Sequence, residues 1–159
     1  MLTINVLCVG KIKENFFKDA IDEYSKRLSR FCKLEITELP DEKIPNNPSN
    51  KQIEEIKEKE CNNIISHIKK DSYIISLDLK GKQMTSEELS STIENLSLST
   101  SHITIIIGGS LGLTKSVLDA SNSILSFSKM TFPHQLIRIF LLEQIYRSFK
   151  ISSGESYHK

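Results

Sequence analysis

Residues His102–Ile107 read His-Ile-Thr-Ile-Ile-Ile and run straight into Gly108-Gly109. A run this short and this apolar has no polar face to show water. It predicts a strand covered on both sides, as in a parallel sheet clad with helices. The rest of the chain fits that arrangement. Leu2–Val9 is a mostly apolar strand ending at Gly10, Lys33–Leu39 alternates around Leu34 and Ile36, Tyr73–Leu79 is a strand ended by Gly81, and Ser123–Phe127 is a fifth. Between them lie helical patterns. Phe16, Phe17, Ala20, Ile21, Tyr24 and Leu28 recur at helix spacing, as do Ile53, Ile56, Ile64, Ile65 and Ile68 after a cap at Ser49 or Asn50. Thr85 with Glu88 forms a capping box ahead of Leu89, Ile93 and Leu96, and Thr114 caps a short helix. Pro133 suits the first turn of a helix running to about Ile151. Strands alternating with helices predict an α/β fold, a mostly parallel sheet of five to six strands flanked by helices. With 159 residues and no repeat or linker, residues 1–159 are expected to form one domain.

Two properties limit the function classes. No apolar run approaches the roughly 20 residues of a membrane helix, and the first residues lack a basic leader, so a cytoplasmic protein is expected. Cys8, Cys32 and Cys61 are widely spaced and odd in number, which argues for buried thiols rather than a disulfide framework. The four histidines are scattered too, so no metal site is expected. The net charge is +1 and unevenly spread. Residues 126–159 carry five cations (Lys129, Arg138, Arg147, Lys150, Lys159) against Glu143 and Glu155, net +3, which leaves the preceding residues at −2. That is a weak nucleic-acid footprint taken alone.

The last helix pattern is apolar on most of its circumference: Leu136, Ile137, Ile139, Phe140, Leu141, Leu142, Ile145, Tyr146 and Phe149. Such a helix is buried on most sides, and in a chain of this size a second copy can supply one wall. A homodimer is expected on this ground.

Three segments could carry chemistry. Gly108-Gly109-Ser110-Leu111-Gly112 is either a tight strand-to-helix turn or a backbone-lined pocket for an adenine-bearing ligand beyond a strand's carboxyl end. It matches neither G-x-G-x-x-G nor the phosphate-gripping P-loop. Phe127–Phe132 is either a packed loop or the opposite wall of that pocket. Neither segment holds an activated nucleophile, and there is no G-x-S-x-G elbow. The terminal Tyr157-His158-Lys159 is either a mobile end or a stacking ring, imidazole and cation suited to an unpaired base.

Val9-Gly10-Lys11, Leu39-Pro40-Asp41-Glu42-Lys43, Ile107-Gly108-Gly109-Ser110-x-Gly112, Leu125-Ser126-x-Ser128-Lys129-Met130-Thr131-Phe132-Pro133-His134-Gln135, Glu143-Gln144-x-Tyr146-Arg147 and Gly154-Glu155-x-Tyr157-His158-Lys159 together resemble the ribosomal RNA large subunit methyltransferase H family, of the SPOUT class. The resemblance implies a C-terminal trefoil knot, a homodimer, S-adenosylmethionine as cofactor, and methylation of N3 of a pseudouridine in 23S rRNA of assembled ribosomes. It implies donor contacts at Leu77, Gly108, Gly109, Phe127, Ser128, Lys129, Met130, Thr131 and Phe132. It places Tyr157 and His158 of the partner's tail at the reacting base, with Glu155 as a rival proton acceptor. RNA contacts are expected from Arg138, Arg147, Lys150 and Lys159. One departure is Ser153, where the family usually carries arginine. The competing readings are another nucleotide-binding α/β enzyme and a non-catalytic RNA-binding ribosome assembly factor of the same fold.

Overall fold

The computed structural model describes residues 1–159. Strands β1 (Thr3–Val9), β2 (Lys33–Leu39), β3 (Tyr73–Gln83), β4 (His102–Ile107) and β5 (Ser123–Ser126) alternate with helices α1 (Asn15–Leu28), α2 (Asn50–Ser66), α3 (Ser86–Ser99), α4 (Lys115–Ala120) and α5 (His134–Ser152). All strand pairs are parallel, in the order β2-β1-β4-β3-β5. Because β1 and β4 are central, their residues feed both faces by strict alternation. Ile4, Val6 and Cys8 join Ile103, Ile105 and Ile107 in a core closed by Leu28 of α1, Leu89 and Ile93 of α3, and Leu141, Leu142 and Ile145 of α5. Leu7, Val9 and Ile106 face the other way, onto Cys61 and Ile64 of α2 and Val117 of α4. All three cysteines are buried and free.

The helix starts follow their sequence signals. Ser49, not Asn50, caps α2: Gln52 N–H donates to Ser49 Oγ and Ser49 N–H to Gln52 Oε1. Thr85 and Glu88 form the same reciprocal box on α3, and Thr114 caps α4. Phe16, expected in the α1 stripe, is 66% exposed. The buried side of α1 runs instead through Ile21, Tyr24 and Leu28, a spacing that leaves Phe16 on the outer side.

The second difference concerns Gly81, which does not end β3. The strand makes a detour and continues to Gln83. Leu125 of β5 pairs with Leu77 before the detour and with Lys82 after it. The register therefore shifts between Leu77 and Lys82, and Asp78–Gly81 form an irregular segment of the strand that stays against β5. Gly81 lies in that segment. A Cβ there would stand 2.7 Å from the carbonyl carbon of Leu125 and 2.8 Å from the carbonyl carbon and oxygen of Ile124. The backbones of β3 and β5 are thus in close contact at Gly81.

Candidate functional site

A cavity of about 490 Å³ opens at the carboxyl ends of β3, β4 and β5. Open parallel sheets place ligands there, and the size lies within the ordinary range for small-molecule sites. The detour of β3 forms one wall through Leu77–Lys80, the glycine turn after β4 a second, and the loop after β5 a third. His134 and Ile137 of α5 complete it.

The glycine turn is closed by Gly112 N–H donating to Gly109 O at 3.0 Å, and Gly112 has φ +80°, which favours glycine. A Cβ on Gly108 would meet Leu113 Cδ2 at 2.9 Å, and one on Gly109 would meet Val9 Cγ1 at 3.1 Å. The missing side chains therefore point into protein, while both residues line the cavity. In the loop after β5, Ser126 Oγ donates to Ser128 O and Met130 N–H donates to Ser128 Oγ, each at 3.0 Å. The loop is shaped by its own hydrogen bonds before any ligand arrives.

Of the residues expected at the donor, Leu77, Gly108, Gly109, Phe127, Ser128, Met130, Thr131 and Phe132 all line this cavity. Lys129 is exposed and does not. The rim is unusually apolar, with Met130 71% and Leu79 53% exposed. Beside it Phe132 meets the ring of Phe140 edge-on at 5.8 Å. The other apolar sides of α5 are covered within the subunit. Tyr146 and Phe149 pack on Phe31, and Ser148 lies under Ser90 of α3. Leu136, Ile139 and Phe140 remain only partly covered.

The tail residues are absent from this cavity. They fold back on α5 and α3 of their own subunit. Tyr157 donates its hydroxyl to Glu143 Oε1 (3.2 Å), its ring lies edge-on to Tyr146 at 5.0 Å, and the Arg147 guanidinium sits 4.8 Å from it. Arg147 is also bound to Glu143 and reaches His158 Nδ1 at 3.1 Å, while His158 Nε2 lies 2.6 Å from Glu87. Arginine can only donate, so Nδ1 is the acceptor and Nε2 carries the proton toward Glu87. Both ring nitrogens of His158 are thus engaged. Burial, then the Glu143 carboxylate, raises the Tyr157 hydroxyl pKa. Glu155 pairs with Lys150, which holds its carboxyl below the usual range and makes it a weak proton acceptor.

The expected RNA contact at Arg138 is corrected. Arg138 is 1% exposed, with Nη1 on Glu38 Oε2 at 2.6 Å and Nη2 donating to Gly10 O at 3.2 Å. It pins α5 to the ends of β1 and β2 and shows no cation to a phosphate. Lys150 is committed to Glu155, and Arg147 to Glu143, which leaves Lys159 exposed without an ion pair. Exposed lysines near the cavity that the sequence reading passed over are Lys80, which lines it, and Lys11, next to Gly10. Ser153 caps α5, its hydroxyl shared between Lys150 O and Glu155.

Two carboxylates were also missed, Glu38, whose side chain is 35% exposed, and the buried Glu60. Burial pushes Glu38 up, but its bonds to Arg138 and to the Ile12 N–H outweigh this and lower it. Glu60, 7% exposed, accepts from Glu42 N–H at 2.9 Å and so anchors the Pro-rich loop. Burial and the nearby Asp41 and Glu42 raise its pKa. Glu60 stands four residues from both Ile56 and Ile64, inside the buried stripe of α2. That position was the one available signal. No group of three His, Cys, Asp or Glu is placed to hold a metal ion.

Comparison with known proteins adds three findings. A family profile described as "Predicted SPOUT methyltransferase" matches residues 2–158. Proteins named "Ribosomal RNA large subunit methyltransferase H" are similar over 99% of this chain and all of their own length. That of Clostridium novyi (strain NT) is 58% identical, and that of Clostridium botulinum (strain Kyoto / Type A2) is 60% identical. Among solved structures, a probable methylase family protein from Haemophilus influenzae Rd KW20 matches 98% of this chain and 70% of its own, with TM-score 0.57 at 11% identity. The tRNA (m1G37) methyltransferase from Aquifex aeolicus matches 92% and 69%, with TM-score 0.50 at 15% identity. These last two likenesses concern the fold alone.

Proposed function

The chain belongs to the SPOUT methyltransferase family, and on that premise we propose that it methylates N3 of a pseudouridine in 23S rRNA of the assembled ribosome, with S-adenosylmethionine as donor. The observation that carries this reading is the cavity itself. Its walls are the β3 detour, the glycine turn and the 127–132 loop, the same segments that hold the family's signature residues.

The residues present suit the donor. Leu77, Leu79 and Phe132 offer apolar surface to a nucleoside, and the backbone around Gly108 and Met130 offers polar groups at close range. When bound, the sulfonium supplies a methyl group that is already activated, so the protein needs no nucleophile of its own. That agrees with the serines of the loop after β5, since Ser126 and Ser128 are hydrogen-bonded within the loop itself. The protein's task is then to hold the target nitrogen about 3 Å from the methyl carbon and in line with its bond.

The substrate wall comes from a second copy. The tail lies outside its own subunit's cavity, while the rim beside Met130 and the partly covered Leu136, Ile139 and Phe140 offer apolar surface to a partner. In this homodimer the partner's Tyr157 stacks on the base, the partner's His158 orients it, and the partner's Lys159 meets phosphate. Residues 1–159 act as one catalytic unit per subunit. With so few free cations near the site, recognition depends on ribosome shape more than on charge, and affinity for free RNA is low. No helix is long and apolar enough to cross a membrane, and a ribosomal substrate places the enzyme in the cytoplasm.

The test is mass spectrometry of 23S rRNA from a strain lacking the gene. The reading expects one methyl to be missing from one pseudouridine and restored by the gene. An unchanged methylation pattern would instead favour the assembly factor. Titration of the pure protein with S-adenosylmethionine, NAD and ATP separates the other rival, since only the first is expected to bind tightly.

A further inference from the structure

We infer that His134 is the catalytic residue that accepts the proton from the nitrogen being methylated. This rests on the methyl-transfer reading above. His134 is the first residue of α5 and lines the cavity between the glycine turn and the 127–132 loop. Gly10, with φ +98°, passes beside its ring, and a Cβ there would stand 3.3 Å from Nε2. No hydrogen bond within the protein engages the ring of His134, which is partly buried.

The other three histidines are excluded by place or by partners. His67 caps the end of α2 and is bonded to Asn63 O. His102 starts β4, at the end of that strand away from the cavity. The Nδ1 lone pair of His158 is taken by Arg147. Only His134 offers a free imidazole nitrogen on the wall where a methyl acceptor must sit.

Its surroundings favour the neutral form that a base requires. Burial lowers its pKa, and so does Arg138 one turn along α5; Asp41, after β2, pulls the other way. The partial positive charge at the start of a 19-residue helix acts in the same direction as Arg138. Of the other charged groups here, Glu38 is spent on Arg138 and Ile12, and the cations Lys80 and Lys11 are exposed.

The step balances. The N3–H bond breaks and its proton goes to the His134 imidazole. The N3 electron pair forms the bond to the methyl carbon, and the carbon–sulfur pair stays on sulfur as a neutral thioether. The imidazolium then loses its proton to water, and the positive charge of the sulfonium leaves as that proton.

The experiment compares wild-type dimer, His134→Gln and His158→Gln on ribosomes from a strain lacking the gene. Turnover is followed against pH at saturating donor. His134→Gln is expected to lower kcat by about 100-fold or more, leave donor affinity unchanged, and abolish the fall in rate at acid pH. His134→Ala is expected to regain activity with added imidazole. His158→Gln is expected to lose rate while keeping the acid limb. Independently of activity, the His134 imidazole NMR signals are expected to titrate below 6.5 and to move when S-adenosylmethionine is added. A His134→Gln enzyme with wild-type kcat, or His134 signals indifferent to the donor, overturns the assignment while the function stands. A wild-type enzyme that leaves these ribosomes unmethylated overturns the function, and this role with it.

Discussion

Replacing Gly81 by alanine adds one carbon at the point where β3 lies closest to the backbone of β5. That carbon would sit 2.7–2.8 Å from backbone atoms of Ile124 and Leu125, nearer than nonbonded carbons tolerate. The opposing atoms are main chain of a strand paired to β3, so no side chain can swing away. Overpacking of this kind costs typically 1–3 kcal/mol, and the rigid neighbour places this case near the top, at about 3 kcal/mol. For a chain of this size that lowers Tm by roughly 6–12 °C. The detour from Leu77 to Lys80 is also a cavity wall, so any shift that relieves the clash is expected to weaken donor binding as well. Gly154→Ala is the control. Gly154 also has a positive φ (+69°), but nothing lies within 4 Å, so only backbone strain of about 1 kcal/mol is expected. Urea unfolding and donor titration of both variants check this. If Gly81→Ala stays within about 0.5 kcal/mol of wild type and binds donor normally, the close backbone contact at Gly81 is refuted.

Other outcomes follow from the buried charges and thiols. Arg138→Met is expected to cost about 2–3 kcal/mol in urea unfolding, below the range for a fully buried pair because the Glu38 side chain is 35% exposed, and to leave the salt dependence of ribosome binding unchanged. Lys69, and then Lys33, hold the Glu35 carboxyl down at about 2 against an ordinary 4.5. A depressed folded pKa means stability present above the unfolded value and lost as pH falls through the folded one. Wild type and Glu35→Gln are therefore expected to differ in stability at neutral pH and to converge between 4.5 and 2. Burial pushes Cys8 and Cys32 up to about 12, so at pH 8 a thiol reagent is expected to label them only after unfolding.

The strands and caps were legible because their signals are local. The apolar run of β4, the Thr85–Glu88 box and the Ser49 cap each sit within a few residues. Gly81 misleads because glycine after an apolar run reads as a stop, whereas here it permits close contact with the backbone of a strand some 40 residues later. The cavity walls were visible as segments, and the family resemblance joined them. The polar partners were not visible. Arg138 lies 100 residues from Glu38, and His158 lies 71 from Glu87. A charge inside an apolar stripe reads as the edge of the stripe until its counter-charge is placed. In the sequence Arg138 accordingly reads as a phosphate contact, and His134, four residues before it, as part of a loop motif.

The central claim is that each reaction centre joins the cavity of one subunit to the tail of the other. Mixing two inactive variants tests it most directly: Gly108→Val, which crowds the wall against Leu113, and a chain lacking residues 157–159. Each variant alone is expected to be a dimer without turnover, and the truncated one to keep its donor affinity. After equimolar subunit exchange, half the dimers are mixed and each holds one intact centre, so methylation of ribosomes should return to about a quarter of the wild-type rate. Continued inactivity of the exchanged mixture, or full activity of the truncated chain alone, would contradict the account.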